Sequence, residues 1–182
     1  MCQTRCRWCN LKNPVYVSYH DFEWGIPQHD DRKLFELLLL ESFQAGLSWE
    51  TILNKRENFR QAFDNFDPKL INDYDNLKIQ ALMLDSGIIR NRRKINATIQ
   101  NSHVFLNIQK EWGSFDAYIW HFTDGKTVYE TGLTRSSLSD RVSKDLKKQG
   151  MTFVGTTIIY SYLQAAGIVY SHDQNCFLYR CD

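Results

Sequence analysis

Apolar positions recur at helical spacing along almost the whole chain. Asp30 or Asp31 can cap a helix whose first turn leads into Leu34, Phe35, Leu37, Leu38 and Phe43, and Gly46 marks its end. Ser48 can cap the next helix, with Glu50 well placed in its first turn. Trp49, Ile52, Leu53, Phe59 and Phe63 then fall largely on one side. Pro68 suits the first position of a short helix after Asp67, and Leu77, Ala81 and Leu82 predict another that stops at Gly87. A longer helix over about 91–110 turns Ile95, Ile99, Ser102 and Leu106 inward, and Phe115, Ile119 and Trp120 mark a short one. The stretch 124–134 reads as a loop in which Lys126 to Glu130 alternates weakly, as a minor strand would. Ser139 can cap a helix running through Val142 and Leu146 to Gly150; after the connector GMTFVG, the nearly all-apolar TTIIYSYLQAAG predicts a central, buried helix. No repeat, linker or low-complexity tract interrupts the pattern, and strongly alternating segments are too few for an α/β fold. The expectation is one all-α domain over residues 1–182.

Composition narrows this reading. A chain of 182 residues buries roughly 70% of its unfolded surface, enough for a core without staples. An apolar fraction of 43%, an aromatic fraction of 14% and only 3 prolines exclude a disordered protein. The amino terminus lacks a secretory apolar run, and the longest helix-like apolar stretch, Leu37 to Leu40, is too short to cross a bilayer. A cytoplasmic protein without a membrane partner is expected. A net charge of +1 argues against a protein that coats DNA nonspecifically, yet leaves room for a local basic patch. The densest such patch is Arg90, Arg92, Arg93 and Lys94, which suits phosphate contact and a solvated helix start equally.

Thiols gather at the two ends. Cys2, Cys6 and Cys9 lie in the first nine residues, Cys176 and Cys181 in the last seven. An odd count in a chain this size argues against a disulfide framework. Two readings remain, scattered terminal thiols or a clip between the ends. His172 and Cys176 are four residues apart, and Cys6 and His20 can join them as a Cys2His2 set of the kind that tetrahedral zinc accepts. Cys9 competes, because Cys6-x2-Cys9 is itself a zinc-like spacing.

Two further segments carry candidate chemistry. In SKDLKKQGMTFVGTTIIYSYLQAAG, Gly150 and Gly155 flank a tight turn, and the following helix opens at Thr156 and Thr157. Free N–H groups at such an opening can hold a phosphate, with Lys144, Lys147 and Lys148 nearby to add attraction. An ordinary glycine-broken helical hairpin with a solvated lysine face has the same pattern. Earlier in the chain, Trp8, Tyr16, Tyr19 and Trp49 surround Glu41, which ends a strongly apolar run. Aromatic faces can stack on an extruded purine while the carboxyl meets its polar edge; alternatively, Glu41 is exposed on a helix edge and the rings fill the core. Asp21 and Glu23 are placed to orient neighbouring side chains.

The blocks YHDFEWG, LLLESFQAGLSW, ILNKRENFRQAF, DSGIIRNRRKI and FVGTTIIYSYLQAAG follow one another over nearly the whole chain. In that order they resemble the 3-methyladenine DNA glycosylase I family, within the helix-hairpin-helix DNA glycosylases. The resemblance implies a compact helical DNA glycosylase fold with a helix-hairpin-helix element and a zinc clip joining the termini. It implies one structural zinc ion on Cys6, His20, His172 and Cys176, with Cys2, Cys9 and Cys181 outside the shell. It implies removal of 3-methyladenine from alkylated double-stranded DNA, with Glu41 as the catalytic-site carboxylate that contacts the base. Trp8, Tyr16, Tyr19 and Trp49 would shape the pocket and Leu47 would be the apolar wedge. The hairpin residues Lys144, Lys147, Lys148, Gly150, Gly155 and Thr156 would grip the backbone. The aspartate that often follows the second hairpin helix is not placed in GIVYSHDQNC, which points to a subfamily that does not depend on it. A monomer without an obligatory protein partner is the simplest expectation. The competing readings are a noncatalytic zinc-stabilised DNA-damage-binding protein and a metal-stabilised protein-interaction domain.

Overall fold

The computed structural model describes residues 3–181 and is built on helices. In chain order these are α1 (Pro14–Phe22), α2 (Asp31–Gln44), α3 (Trp49–Asn54), α4 (Arg56–Ala62), α5 (Pro68–Asn72), α6 (Asn76–Leu84), α7 (Arg92–Trp112), α8 (Phe115–Trp120), α9 (Ser137–Lys148) and α10 (Thr156–Ala165). Two short strands, β1 (Val128–Tyr129) and β2 (Val169–Tyr170), pair in parallel, with Val128 opposite Val169. Cys2, among the thiols considered above, lies outside the described residues.

Most helix starts are fixed by short polar side chains. Asn13 caps α1 ahead of Pro14, and Asp30, not Asp31, caps α2 by accepting from the Lys33 N–H. Asp31 instead accepts from the backbone N–H groups of Phe115 and Asp116, holding the start of α8 against α2. Ser136 rather than Ser139 caps α9, because Ser139 is the third-position partner in a reciprocal capping box.

Helix α2 is buried on every side from Leu34 to Phe43, so it forms the axis against which α10, α7, α8 and α3 pack. The single apolar stripe expected from Trp49 to Phe63 is broken at Lys55, whose ammonium reaches the Ser86 and Gly87 carbonyls. Since α4 starts at the next residue, Phe59 and Phe63 still reach the core. Helix α6 stops at Asp85, two residues before the glycine that was expected to end it. Gly87 serves close packing: a Cβ there would lie 2.9 Å from Asp85 Oδ1 and 3.1 Å from Asn58 Cβ. In α7 the inward face centres on Ile95, Thr98, Asn101, Ser102, Phe105 and Ile108, leaving Ile99 and Leu106 half-buried. The shift was hidden because Thr98 and Asn101 are polar, yet their groups are satisfied within the fold.

Asn101 has a specific partner. Its side chain donates to the Thr152 carbonyl at 2.9 Å and accepts from the Thr152 N–H at 2.8 Å. Thr152 sits in the connector between α9 and α10, whose next two carbonyls, at Phe153 and Val154, accept from the Ser42 and Ser143 hydroxyls. Gly150 closes α9 at φ +104°, with the Met151 N–H returning to the Leu146 carbonyl. The connector is thus fastened to α2, α7 and α9 together. Asn101→Ala strands both polar groups of a part-buried peptide, and we expect a loss of about 2–3 kcal/mol, or roughly 5–10 °C in Tm. Thermal unfolding of the variant checks this; a shift of under 1 °C would mean the connector is held elsewhere.

Candidate functional site

Side chains from α1, α2, α3, α10, the amino-terminal segment and the turn after α1 line an open cavity of about 240 Å³. Its lining is Trp8, Tyr16, Tyr19, Trp24, Glu41, Gln44, Trp49, Ser161 and Gln164. This is slightly below the roughly 300–1,000 Å³ typical of drug-sized ligand pockets, so it suits one planar base. Trp8 lies 4.8 Å from Trp24 and 5.4 Å from Tyr16 between ring centroids, while Tyr19 and Trp49 lie 5.4 Å apart on another part of the wall. Trp49 is located by its neighbour Glu50, which accepts from both Asn10 and Asn13 at 2.8 Å and so ties α3 to α1.

Glu41 is among the residues that line this cavity. It is only 3% exposed, and its Oε2 has no hydrogen-bond partner among the described residues. The Trp49 indole N–H is likewise buried and unpartnered. Buried polar groups are nearly always satisfied, so two such atoms lining one cavity point to a polar occupant. Burial alone pushes the Glu41 carboxyl up to about 8, so at neutral pH it is held mostly as the uncharged acid.

Behind the pocket wall, Cys6, His20, His172 and Cys176 bring one ligand atom each to within 4.8 Å of one another, all four residues buried. The cluster can coordinate a metal ion and joins the two ends of the chain. Cys6 Sγ lies 3.4 Å from His172 Nδ1, and Cys176 Sγ lies 3.5 Å from both His172 Nδ1 and His20 Nε2. His20 Nδ1 is 2.8 Å from Asp21 Oδ1, the carboxylate–histidine arrangement that orients metal ligands. The Arg5 guanidinium beside Asp21 holds that carboxyl below its ordinary range. Burial pushes the Cys6 thiol up to about 12 and His172 down to about 4, so the imidazole is neutral as ligation requires and an ion must displace the thiol proton. The two histidine rings also support the cavity wall: Trp8 lies 5.2 Å from His20 and Trp24 lies 4.7 Å from His172.

The chain matches the family described as methyladenine glycosylase over residues 8–179. The chain belongs to the methyladenine glycosylase family. It is similar to DNA-3-methyladenine glycosylase 1 of Escherichia coli, 44% identical over 182 residues that cover 96% of each chain. It is similar also to DNA-3-methyladenine glycosylase of Haemophilus influenzae, 41% identical over 179 residues covering 95% of this chain and 96% of that one. A crystal structure of 3-methyladenine DNA glycosylase I superposes with a TM-score of 0.93 at 43% identity, covering 97% of this chain and all of that one.

In this methyladenine glycosylase family member, the five residues expected at the base pocket, Trp8, Tyr16, Tyr19, Glu41 and Trp49, line one cavity. The expected ligand set is likewise assembled, while Cys9 turns its thiol toward the Tyr16 carbonyl and Cys181 is exposed. Leu47 is 40% exposed on the turn after Gly46. Lys144, Lys147 and Lys148 are exposed on α9. Gly155 has an ordinary φ of −62°, and a Cβ there would meet nothing within 4 Å, so the fold leaves open space in front of α10. The Thr156 hydroxyl is engaged within the hairpin, donating to Asp140 at 2.6 Å and lying 3.0 Å from the Ser139 hydroxyl. Glu23 does orient a neighbour, pairing with Arg56, as Asp21 does with His20. Sequence reasoning missed Trp24, Gln44, Ser161 and Gln164. Trp24 stands in the YHDFEWG block and Gln164 was the polar exception in α10, so each left a signal.

The Glu41 carboxyl has a stability consequence whose sign is fixed. Its ordinary value is 4.5, and in the folded protein it stays protonated up to about 8. Between those values the unfolded chain has released the proton that the folded chain retains, so stability falls as pH rises, by up to about 5 kcal/mol. Glu41→Gln keeps the shape and cannot ionise. Urea unfolding should find the variant equal to the parent near pH 4 and more stable near pH 8; equal stability at both pH values would show that Glu41 is not held neutral.

Proposed function

We propose that the chain hydrolyses the N-glycosidic bond of 3-methyladenine in alkylated double-stranded DNA, releasing the base and leaving an abasic site. The observation that carries this reading is the buried Glu41 carboxyl, its Oε2 without a partner among the described residues, on a cavity walled by aromatic rings. Methylation at N3 makes adenine cationic while it remains bonded to the sugar. Rotated out of the stack, such a base finds π-faces that attract a cation by roughly 1–2 kcal/mol per well-placed ring once desolvated. Its charge also offsets the desolvation that keeps Glu41 protonated, so the carboxyl ionises and pairs with the base. Neutral adenine offers neither interaction. Discrimination therefore rests on charge, with shape excluding larger groups.

The same arrangement assists bond breaking. As the bond from N9 to the sugar C1′ breaks, its electron pair moves to the base and neutralises the ring, while the sugar develops oxocarbenium character. Water then adds at C1′ and loses a proton. The cationic base is already a good leaving group, so Glu41 acts by orienting and holding it rather than by activating water. Leu47, exposed at the turn beside the cavity residue Gln44, fills the gap left in the stack. The open front of α10 with Lys144, Lys147 and Lys148 takes a backbone phosphate. No helix among the described residues is long and apolar enough to cross a membrane, and the cavity is built within one chain, so a monomer suffices.

The metal cluster suits zinc. Tetrahedral zinc with bonds of about 2.3 Å to sulfur and about 2.05 Å to nitrogen has S···N edges of about 3.6 Å, close to the separations found here. Cys6, His20, His172 and Cys176 fill all four positions, so zinc would supply a structural tie with no open position for water. We expect one zinc per chain by elemental analysis. Cys176→Ser should abolish it and lower Tm by roughly 10 °C or more; full zinc content in that variant would assign the ion elsewhere.

Incubating purified protein with duplex DNA containing 3-methyladenine, and measuring free base and abasic sites, tests the activity. We expect release of 3-methyladenine and none of adenine. Glu41→Gln should slow single-turnover release by 10-fold or more, about 1.4 kcal/mol or greater in the barrier. Retention of DNA without base release would make the protein a damage binder instead.

A further inference from the structure

The described arginines divide into two sets. Arg5, Arg7, Arg32, Arg56, Arg60 and Arg135 pair with carboxylates, Arg141 donates to the Phe122 carbonyl, and Arg180 lies over the Tyr170 ring. Among the described residues, Arg90, Arg92 and Arg93 have no ion pair, hydrogen bond or ring contact, and all three are exposed. A fold that has given every other guanidinium a partner leaves three unpaired within four residues.

The next residue locates this patch. Lys94 is only 6% exposed, and its ammonium donates at 2.7 Å to the carbonyls of Phe43 and Ala45, the last turn of α2. A cation at a helix carboxyl end is favourably placed, and here it fastens the first turn of α7 to the segment leading into Gly46 and Leu47. Two helical turns further on, Asn101 fastens the same helix to the α9–α10 connector. The two anchors are seven residues apart and so lie about 10 Å apart along nearly one stripe of α7. Helix α7 thus carries the Leu47 turn and the hairpin connector at a fixed spacing, with the unpaired arginines at the end nearest Leu47.

We propose that Arg90, Arg92 and Arg93 form a second DNA-backbone contact, separate from the hairpin, gripping phosphates that flank the extruded nucleotide. This rests on the reading of the chain as a DNA glycosylase. Guanidinium groups suit phosphate because their fork of donors matches its oxygens. Two backbone grips, one on each side of the wedge, would hold the duplex while Leu47 occupies the vacated position. The contact reads no sequence, as a search for rare damaged bases requires.

Counterion release makes the proposal measurable. Affinity for a short duplex bearing an abasic-site analogue is measured over a range of salt for the parent, for Arg90→Gln/Arg92→Gln/Arg93→Gln, and for the corresponding triple lysine variant. Each lost phosphate contact lowers the slope of log K against log salt by about 0.9. The glutamine variant should lose about 2–3 from the slope and bind roughly 10-fold or more weakly at low salt, with an unchanged Tm. The lysine variant should keep most of the slope, because the charge remains. An unchanged slope in the glutamine variant, or an equal loss in the lysine variant, overturns the proposal. Base release by the parent is followed in parallel: a parent that binds DNA but releases no 3-methyladenine refutes the glycosylase reading, and the slope still judges the arginines.

Discussion

A carboxyl group taken out of water without a partner is costly, and the centre of this protein is organised around one. Glu41 lies near the carboxyl end of α2, a helix buried on all sides, with one oxygen unsatisfied and the whole group held neutral by desolvation. Such a position persists only where the surroundings over-determine it. Capping by Asp30, the packing of α10 and α8, and the Lys94 ammonium on the last turn together fix α2 along its length. The cavity exists because the aromatic residues around Glu41 are held by other contacts and do not collapse onto it.

Those contacts link the site to the rest of the molecule. Trp8 rests against His20 and Trp24 against His172, so the cluster that joins the chain ends also backs two walls of the pocket. Loss of an ion there would disturb the geometry of base recognition as well as stability. Helix α7 in turn holds the turn that carries Leu47 and the connector that opens α10. Base pocket, wedge and backbone grip are thereby referred to the buried helix α2 and to α7, whose inner face packs on the core, rather than to loops. Rigid placement of this kind is what a reaction governed by orientation needs.

Much of this was legible in the sequence. Helical periodicity and short polar caps gave the order of most elements, and the end-loaded thiols with His20 and His172 suggested the clip. The aromatic residues around Glu41 were visible as a group, although their distances in sequence could not say whether they enclosed space or filled it. What escaped had physical causes. Helix α1 carries a cap and Pro14, yet its aromatic and polar residues serve the pocket and the metal cluster, so no apolar stripe marks it. The inward face of α7 includes Thr98, Asn101 and Lys94, polar groups whose burial depends on backbone partners far away in sequence. For the same reason Lys94 looked like one more charge in a basic run, whereas it is a helix cap. Ser161 and Gln164 line the cavity from a helix that otherwise reads as core, and only the crossing of α10 against α2 turns them toward Glu41.

The claim beneath all of this is that Glu41 is uncharged in the free protein and becomes charged when a cationic base enters. Carbon-13 NMR of the Glu41 side-chain carboxyl, followed through a pH titration with and without bound 3,9-dimethyladeninium, whose N9 methyl stands in for the sugar and keeps the ring cationic, observes that directly. The free protein should titrate near pH 8, and the bound base should move the transition downward by at least one unit, the mark of a favourable charge pair of about 1.4 kcal/mol or more. A midpoint near the ordinary 4.5 in the free protein, or no movement when the base binds, would contradict the account.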